Sequence, residues 1–301
     1  MRTLRSWSPL LLVLLASACR HDIPSLEPRL ASTPPSRLRF QSLENAVLTE
    51  RVSSSLRRAS VPGEQVAEMT TTTRLAPEPQ GWRLTQQVTH ASLSRNAVPV
   101  KTLVEEVLVR APLQIRLATD GTFVRLEEPG AALAALSAVR PAGLDVTALE
   151  RLFAPEALEA RTRAEWEVKY GGLYGRPLEP GQRVLAVGTV ELGGREVTYL
   201  LERLFTGWRL TEHGETWVFA LRCLEAPGEE APPEVRDVLN RAGDPEVTPG
   251  VTCEGEQLLG QSGFLPVRRG FTLRATLDGE TWTWATQAAL ESVRTPEEEQ
   301  R

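Results

Sequence analysis

Three histidines are the side chains with which acid–base chemistry in this sequence would begin. His21 lies near the N-terminus, His90 in a predicted strand and His213 at a predicted turn. A hydrolytic triad needs an imidazole, a nucleophile and an acid in contact. The candidate partners close to these histidines in sequence are Ser92, Ser94, Glu212 and Glu215. Closeness along the chain is no evidence of contact, so we interpret the histidines as ordinary strand and turn residues. A hydrolase without a recognisable motif remains the alternative function.

Sequence motifs of well-known enzyme classes are absent. The chain contains no G-x-S-x-G, H-E-x-x-H, Walker or G-x-G-x-x-G motif. Its formal net charge is −5, which is the opposite of the basic footprint that nucleic-acid binding requires. The sequence therefore predicts no catalytic site, no cofactor and no nucleic-acid partner.

Two of the three cysteines form a possible disulfide pair by parity, since Cys19 is the odd one near the N-terminus. Cys223 and Cys253 would pair in an oxidising compartment. A metal site is the alternative, but no histidine or third cysteine keeps zinc spacing with them. We predict a Cys223–Cys253 disulfide and no metal site.

The N-terminus has the features of a secretory signal. Arg2 and Arg5 form a positive segment, residues 10–15 are apolar, and Ala16-Ser17-Ala18 precede Cys19. The apolar segment is far shorter than the ~20 residues that span a bilayer, so it predicts a signal peptide over residues 1–18. Cleavage by the ordinary signal peptidase would give a secreted protein. The cysteine that follows at once resembles a lipobox, which favours acylation of Cys19.

Acylation of Cys19 would make this protein a bacterial cell-envelope lipoprotein. Each buried CH₂ contributes ~0.8 kcal/mol of membrane affinity, and several acyl chains anchor a protein stably. Arg20, rather than an aspartate, follows the cysteine, and the resemblance of this position to that of proteobacterial lipoproteins implies sorting to the outer membrane. We therefore expect a lipid anchor in the outer membrane.

Hydrophobic periodicity divides the mature chain into a tether, a β-rich body and a tail. Strand patterns dominate about 64–126, including the β-branched run Leu103–Val109, and return over about 182–224. Asp120-Gly121, Gly193-Gly194 and Asp278-Gly279 mark hairpin turns. The predicted segments are a lipidated, proline-rich tether at 19–44, a curved antiparallel sheet at 45–224, a loop and hairpin unit at 225–294 on the same domain, and a disordered tail at 295–301.

A helical insert is predicted between residues 129 and 170. Ala131–Val139 is rich in alanine and leucine, Thr147 and Glu150 have capping-box spacing, and Pro155 begins another helix whose end is ambiguous. Outside this insert, one short helix is expected at Glu234–Arg241. The predicted fold class is α+β, mainly antiparallel β: a curved sheet or half-barrel with helices on one face.

A curved sheet under an alanine-rich helix raises the question of a cavity. Small side chains cover area while supplying little volume, so we predict an apolar pocket between the helix and the sheet. Its candidate lining residues are Leu133, Leu136, Trp82, Leu84 and Val107. Close packing without a void is the alternative, and it is the usual state of protein interiors.

The middle of the chain resembles a group of uncharacterised bacterial lipoproteins. The resemblance covers roughly residues 45–222 and lies in the order of strand, Asp120-Gly121, the segment 126–129, helices, and the segment 176–181 before a long hairpin. It implies an architecture similar to the curved sheet with a helical plug of periplasmic lipoprotein carriers. We accordingly expect a non-enzymatic binding or scaffolding role, with an apolar ligand as the candidate partner beside the membrane.

Overall fold

The computed structural model describes residues 37–294 except 42, 44, 45, 229, 230 and 262. The predicted signal peptide, Cys19 and the tail at 295–301 lie outside the described residues. Leu38 and Phe40, at the predicted boundary between tether and folded body, are buried in the core. In the part of the chain that is described, no helix is long and apolar enough to cross a membrane.

The described residues form twelve strands and five helices. The strands are β1 Val47–Arg58, β2 Val61–Glu78, β3 Gly81–Arg95, β4 Val98–Val100, β5 Leu113–Leu117, β6 Phe123–Glu127, β7 Arg183–Leu192, β8 Arg195–Thr211, β9 Gly214–Leu224, β10 Thr252–Gly260, β11 Pro266–Leu277 and β12 Glu280–Arg294. The helices are α1 Leu103–Arg110, α2 Ala131–Val139, α3 Thr147–Leu152, α4 Pro155–Tyr170 and α5 Pro233–Arg241.

All twelve strands belong to one open antiparallel sheet. Its order is β6-β5-β3-β2-β1-β12-β11-β10-β9-β8-β7, and β4 pairs with β3 beside β5. The chain's last three strands lie between β1 and β9, in the middle of the sheet. The predicted fold class, α+β with antiparallel β dominant, is confirmed.

Helix α4 contacts both edges of this sheet. It packs against β6 at one edge and β7 at the other. Arg163 of α4 donates to the backbone carbonyls of Phe123 and Val124 on β6 at 3.4 and 2.9 Å. Since the two edge strands meet the same helix, the sheet curves strongly around α4. The helix also covers backbone groups that an edge strand would otherwise leave exposed.

Two hydrophobic cores hold the fold together. The larger one lies inside the curve and includes a cluster of rings in which Phe40 meets Trp166, Tyr174 and Phe264 at centroid distances of 6.1, 5.0 and 5.4 Å. The smaller one lies on the other face, where α5 packs on β7 and β8. Its buried members are Leu200, Val235, Val238, Leu239 and Val247.

The strand prediction for Leu103–Val109 is wrong, because these residues lie in helix α1. Thr102 caps this helix: its hydroxyl accepts from the Glu105 N–H at 3.4 Å, and the Glu105 carboxylate accepts from the Thr102 N–H at 3.3 Å. The cap and the burial of Val107 between a strand and a second helix outweigh the β preference of the three valines.

The capping box predicted at Thr147 and Glu150 does not form. Helix α3 begins at Thr147 itself, and Asp145 accepts from both the N–H and the hydroxyl of Thr147 at 3.0 and 2.7 Å. The ambiguous end of α4 is settled as helix to Tyr170. Strands β1 and β10 were not predicted, since neither has a strong period-two alternation of apolar residues.

The structure contains the disulfide that the sequence predicts. Cys223 and Cys253 are bonded, with their Cα atoms 4.9 Å apart. The bridge joins the end of β9 to the start of β10. It therefore closes the proline-rich segment that carries α5.

Candidate functional site

The concave face of the sheet is defined by the side chains that point toward α4. Arg203 on β8 and Gln257 on β10 both bond to backbone carbonyls of this helix. Directly paired residues of an antiparallel sheet share a face, so the strand register extends this assignment. One row across the face consists of Ala91, Met69, Val52, Ala288, Arg269, Gln257, Phe219 and Phe205. The neighbouring row consists of Leu93, Ala67, Ser54, Thr286, Phe271, Gly255, Leu221 and Arg203.

The two halves of these rows differ in burial. On β8 and β9, the row members Arg203, Phe205, Phe219 and Leu221 are at most 3% exposed. On β1, β2, β3 and β12 every member of both rows is only half-buried. We call this second set the concave groove; it consists of Val52, Ser54, Ala67, Met69, Ala91, Leu93, Thr286 and Ala288.

The concave groove is open because its side chains are small and the helices make few contacts with β1, β2 and β12. The small side chains of Ser54, Ala67, Ala91 and Ala288 occupy little of the volume above the strands. Helix contacts with the sheet are concentrated on β3, β6 and β7. The result is a solvent-accessible surface made mainly of aliphatic groups, in which Ser54 donates to the Thr286 hydroxyl at 3.2 Å, on a face that is elsewhere a filled core.

The reverse side of the same strands is polar. Arg51 contacts Glu68 at 3.3 Å, and Arg57 contacts Glu64 at 2.9 Å. Exposed ion pairs of this kind contribute at most about 1 kcal/mol of stability. Their importance is that they distinguish a solvated convex face from the aliphatic concave one.

A separate cavity of about 320 Å³ lies at the β1–β2 hairpin, and Glu64, Gln65, Arg95 and Asn96 line it together with apolar residues. Leu56 and Trp282 supply its apolar surface, and Arg58 lies over the Trp282 ring at 5.4 Å. Trp282 and Trp284 share the concave face, as their spacing predicts, and pack partly buried against the core. The volume is within the range of small-molecule sites, ~300 to 1,000 Å³.

A buried arginine holds the C-terminus of α4 in place. Arg203 is fully buried and donates to the carbonyls of Glu167, Val168 and Gly171 at 3.2, 3.2 and 2.5 Å. Burial lowers the pKa of its guanidinium to about 9, so the group stays charged at neutral pH. A cation is favourable at this end of a helix, where the carbonyls carry partial negative charge.

Other charged groups lie between α4 and the groove. Glu165 and Lys169 form an ion pair at 2.5 Å, and Lys169 holds the pKa of the Glu165 carboxyl below its usual value. Glu50 on β1 has the opposite shift, because burial raises the pKa of its carboxyl while Lys169 and Arg269 partly oppose the rise. Burial also raises the pKa of Tyr170.

Arg269 and Gln257 carry polar atoms that lack partners. Within the described part of the chain, Arg269 makes no hydrogen bond or ion pair; its guanidinium lies 5.5 Å from the Phe271 ring, and its Nε is buried. Gln257 is 2% exposed and donates through Nε2 to the Lys169 carbonyl, while its Oε1 is buried without a partner. The two residues are directly paired across β10 and β11.

The five residues predicted to line a pocket under the alanine-rich helix all belong to the larger core. Leu84, Leu136 and Val107 are at most 2% exposed, whereas Trp82 and Leu133 are half-buried. Val107 of α1 connects α2 to β3, since α1 packs against both. The structure thus brings these residues into one cluster, and the pocket itself stays a prediction.

His90 and His213 lie away from the concave groove, and His21 lies outside the described residues. His90 is exposed and pairs with Thr70 on the convex face of β3. His213 lies in the β8–β9 turn, 3.6 Å from the exposed carboxylate of Glu212. Across the described residues, no hydrogen bond joins either imidazole to a serine, and no group of three or more metal-ligating side chains occurs. This geometry gives no support to the hydrolase alternative.

Sequence reasoning missed the residues of the concave groove and Arg269. They lie on strands whose alternation is weak, because serines and alanines occupy the inward positions of β1, β2 and β12. The sole signal was the inward alternation of Trp282 and Trp284 in the last hairpin.

Comparisons with known proteins give distant structural likenesses. No protein-family model and no curated protein sequence matches the chain. A structure of lipovitellin that describes its lipid–protein interactions matches with a TM-score of 0.44 and 9% identity, over 85% of this chain. This chain spans about a quarter of the lipovitellin chain, 26%.

Two bacterial structures match at lower scores. A Bacteroides fragilis protein with a YmcC-like fold has a TM-score of 0.26 and 9% identity, over 86% of this chain and 100% of its own. A Vibrio parahaemolyticus domain named for outer-membrane lipoprotein sorting has a TM-score of 0.18 and 10% identity, over 85% of this chain and 87% of its own. All three TM-scores lie below 0.5.

Proposed function

We propose that this protein is a non-enzymatic envelope lipoprotein that binds an apolar chain in the concave groove. The observation that carries the proposal is the contrast within single rows of the sheet. The same face that is a filled core on β8 and β9 is open and aliphatic on β1, β2, β3 and β12. Covering an exposed aliphatic surface is favourable by ~25 cal/mol per Å², so a chain lying there would be stabilised along its length.

A pair of neighbouring alanines on β12 allows a controlled test. Ala288 faces the groove and Ala289 faces the convex side, where it pairs with Arg51. In full-length protein, Ala288→Trp should fill the groove and lower dodecanol affinity at least tenfold, measured by calorimetric titration. Ala289→Trp adds the same side chain on the other face and should leave binding unchanged.

Two results would overturn this proposal. One is a wild-type protein that binds no dodecanol. The other is equal binding by wild type and Ala288→Trp when both variants keep the wild-type melting temperature. Native mass spectrometry of the detergent-extracted protein offers an independent readout, because a co-purified apolar ligand should be present in the wild type and absent from Ala288→Trp.

The anchoring part of the proposal rests on the sequence around Cys19. Cys19→Ser should abolish incorporation of labelled palmitate and release the protein from membranes. Fractionation of the wild type with the outer membrane would agree with Arg20 after the cysteine. A wild-type protein found free in the periplasm or medium would instead support ordinary secretion.

A further inference from the structure

An unpaired cation lies at one end of the concave groove. The row that contains Ala91, Met69, Val52 and Ala288 leads directly to Arg269 on β11. The four strand spacings from β3 to β11 amount to about 19 Å, at ~4.8 Å per strand. The aliphatic surface and the positive charge therefore form one continuous amphipathic track.

The other inward-facing cations near this track already have partners. Arg203 is committed to three carbonyls of α4, and Lys169 is paired with Glu165. Glu50 and Glu165 are the carboxylates that interact electrostatically with Arg269, but no ion pair joins either of them to Arg269 among the described residues. Glu50 lies on β1, and β12 separates that strand from β11. Burial also raises the pKa of Glu50, which weakens it as a counter-ion.

Gln257 supplies a second, independent indication at the same place. Its Oε1 is buried and without a partner, directly across the strand pair from the buried, unpartnered Nε of Arg269. Buried polar atoms without hydrogen bonds are costly and uncommon in native proteins. The Arg269 Nε–H is a donor that an anionic head would satisfy, whereas the Gln257 Oε1 is an acceptor that only a head retaining an O–H, such as a monoprotonated phosphate, can satisfy.

We propose that the ligand of the concave groove is a single-chain amphiphile with an anionic head, a carboxylate or a phosphate, which Arg269 binds. This inference rests on the proposed function and adds the chemical class of the ligand. The chain would lie over Ala288, Val52 and Met69, and the head would accept hydrogen bonds from the Arg269 guanidinium. A charge-assisted bond to a planar guanidinium favours a carboxylate or phosphate over a neutral head of the same chain length.

The test compares three probes that share one alkyl chain. Dodecanoate, dodecyl phosphate and dodecanol are titrated into the full-length wild type, Arg269→Gln, Arg269→Lys and Arg268→Gln. Arg268 is the matched control, because it is the neighbouring arginine on β11, is exposed, and faces the convex side. The ratio of anion affinity to dodecanol affinity in each variant isolates the head group from the chain.

We expect Arg269→Gln to lower the affinity for dodecanoate or dodecyl phosphate at least about tenfold while dodecanol affinity is unchanged. Arg269→Lys should keep part of the preference, and Arg268→Gln should keep all of it. The anion that loses more affinity in Arg269→Gln identifies the head group. Unchanged dodecanol binding also shows that the variant is folded.

A substitution on β10, the strand paired with β11, changes the same site. Gln257→Glu places a carboxylate across from Arg269, where it supplies the anion internally, and should remove the anion preference as Arg269→Gln does. Equal anion preference in wild type and Arg269→Gln would overturn this inference and leave the groove proposal intact. Loss of dodecanol binding in the wild type would instead overturn the groove proposal itself.

Discussion

Arg203→Met tests how α4 is held inside the curved sheet. In the wild type the guanidinium bonds to three carbonyls at the C-terminal end of this helix. The Glu167 carbonyl also accepts from the Gly171 N–H at 3.0 Å, so it keeps a partner after the substitution. The carbonyls of Val168 and Gly171 lose the bonds that Arg203 makes, and α4 loses its link to β8.

The magnitude follows from two opposing effects. A buried carbonyl left without a partner costs about 1 to 3 kcal/mol, so two cost roughly 2 to 6 kcal/mol. Removing a buried charge offsets part of this, because a guanidinium is expensive to bury. We expect a net loss of about 2 to 3 kcal/mol in the free energy of unfolding, with methionine retaining most of the apolar contact of the arginine stem.

Urea unfolding monitored by tryptophan fluorescence measures this loss, and hydrogen exchange at residues 167–171 locates it. Arg274→Met is the control, because Arg274 is exposed and lies 4.0 Å from Glu254, a surface pair worth at most about 1 kcal/mol. An Arg203→Met protein as stable as the wild type, with unchanged exchange in α4, would refute the reasoning. It would mean that relief of the buried charge outweighs the lost bonds.

Three other substitutions test the core, the disulfide and the buried carboxyl. Ala135→Leu should cost about 1 to 3 kcal/mol by overpacking; a neutral or higher melting temperature would support the predicted pocket under α2. Replacing Cys223 and Cys253 with serine should lower stability by ~3 to 4 kcal/mol on the chain-entropy model, since the bridge closes a loop of 30 residues; equal denaturation midpoints with and without reductant in the wild type would contradict this. Because the pKa of Glu50 is raised in the folded state, its charge opposes folding as pH rises above the unfolded value near 4.5. Glu50→Gln should therefore raise the melting temperature at pH 7 and have less effect at pH 4, and the reverse trend would show that Lys169 and Arg269 stabilise the carboxylate.

Local chemistry predicted many turns and strands of this protein correctly. Gly193-Gly194 and Asp278-Gly279 lie at the tips of hairpins because residues there adopt a positive φ, which glycine tolerates. Period-two alternation likewise identified β3, β7 and β11. These features depend on neighbours along the chain, so a single sequence is sufficient to reveal them.

Helix α1 shows where local reasoning failed. Its β-branched residues favour a strand, yet Val107 is buried between β3 and α2, elements that the chain pattern does not place beside it. Strands β1 and β10 were missed for a related reason. Their inward positions include serine, glutamate, glycine and glutamine, and one strand neighbour of each lies more than thirty residues away, β12 for β1 and β9 for β10.

The sequence by itself determined the fold class and the disulfide pairing, because each depends on residue types at short spacings or on simple parity, whereas export and lipidation at Cys19 stay predictions. The tertiary structure decided that one face of the sheet is a filled core on β8 and β9 and an open groove on β1, β2, β3 and β12. It also decided that the Arg203 guanidinium bonds to carbonyls of α4, while the Arg269 guanidinium lies against the Phe271 ring and has no hydrogen bond or ion pair among the described residues. Both arginines follow the same strand alternation, and what separates them is the position of α4, which long-range curvature of the sheet sets.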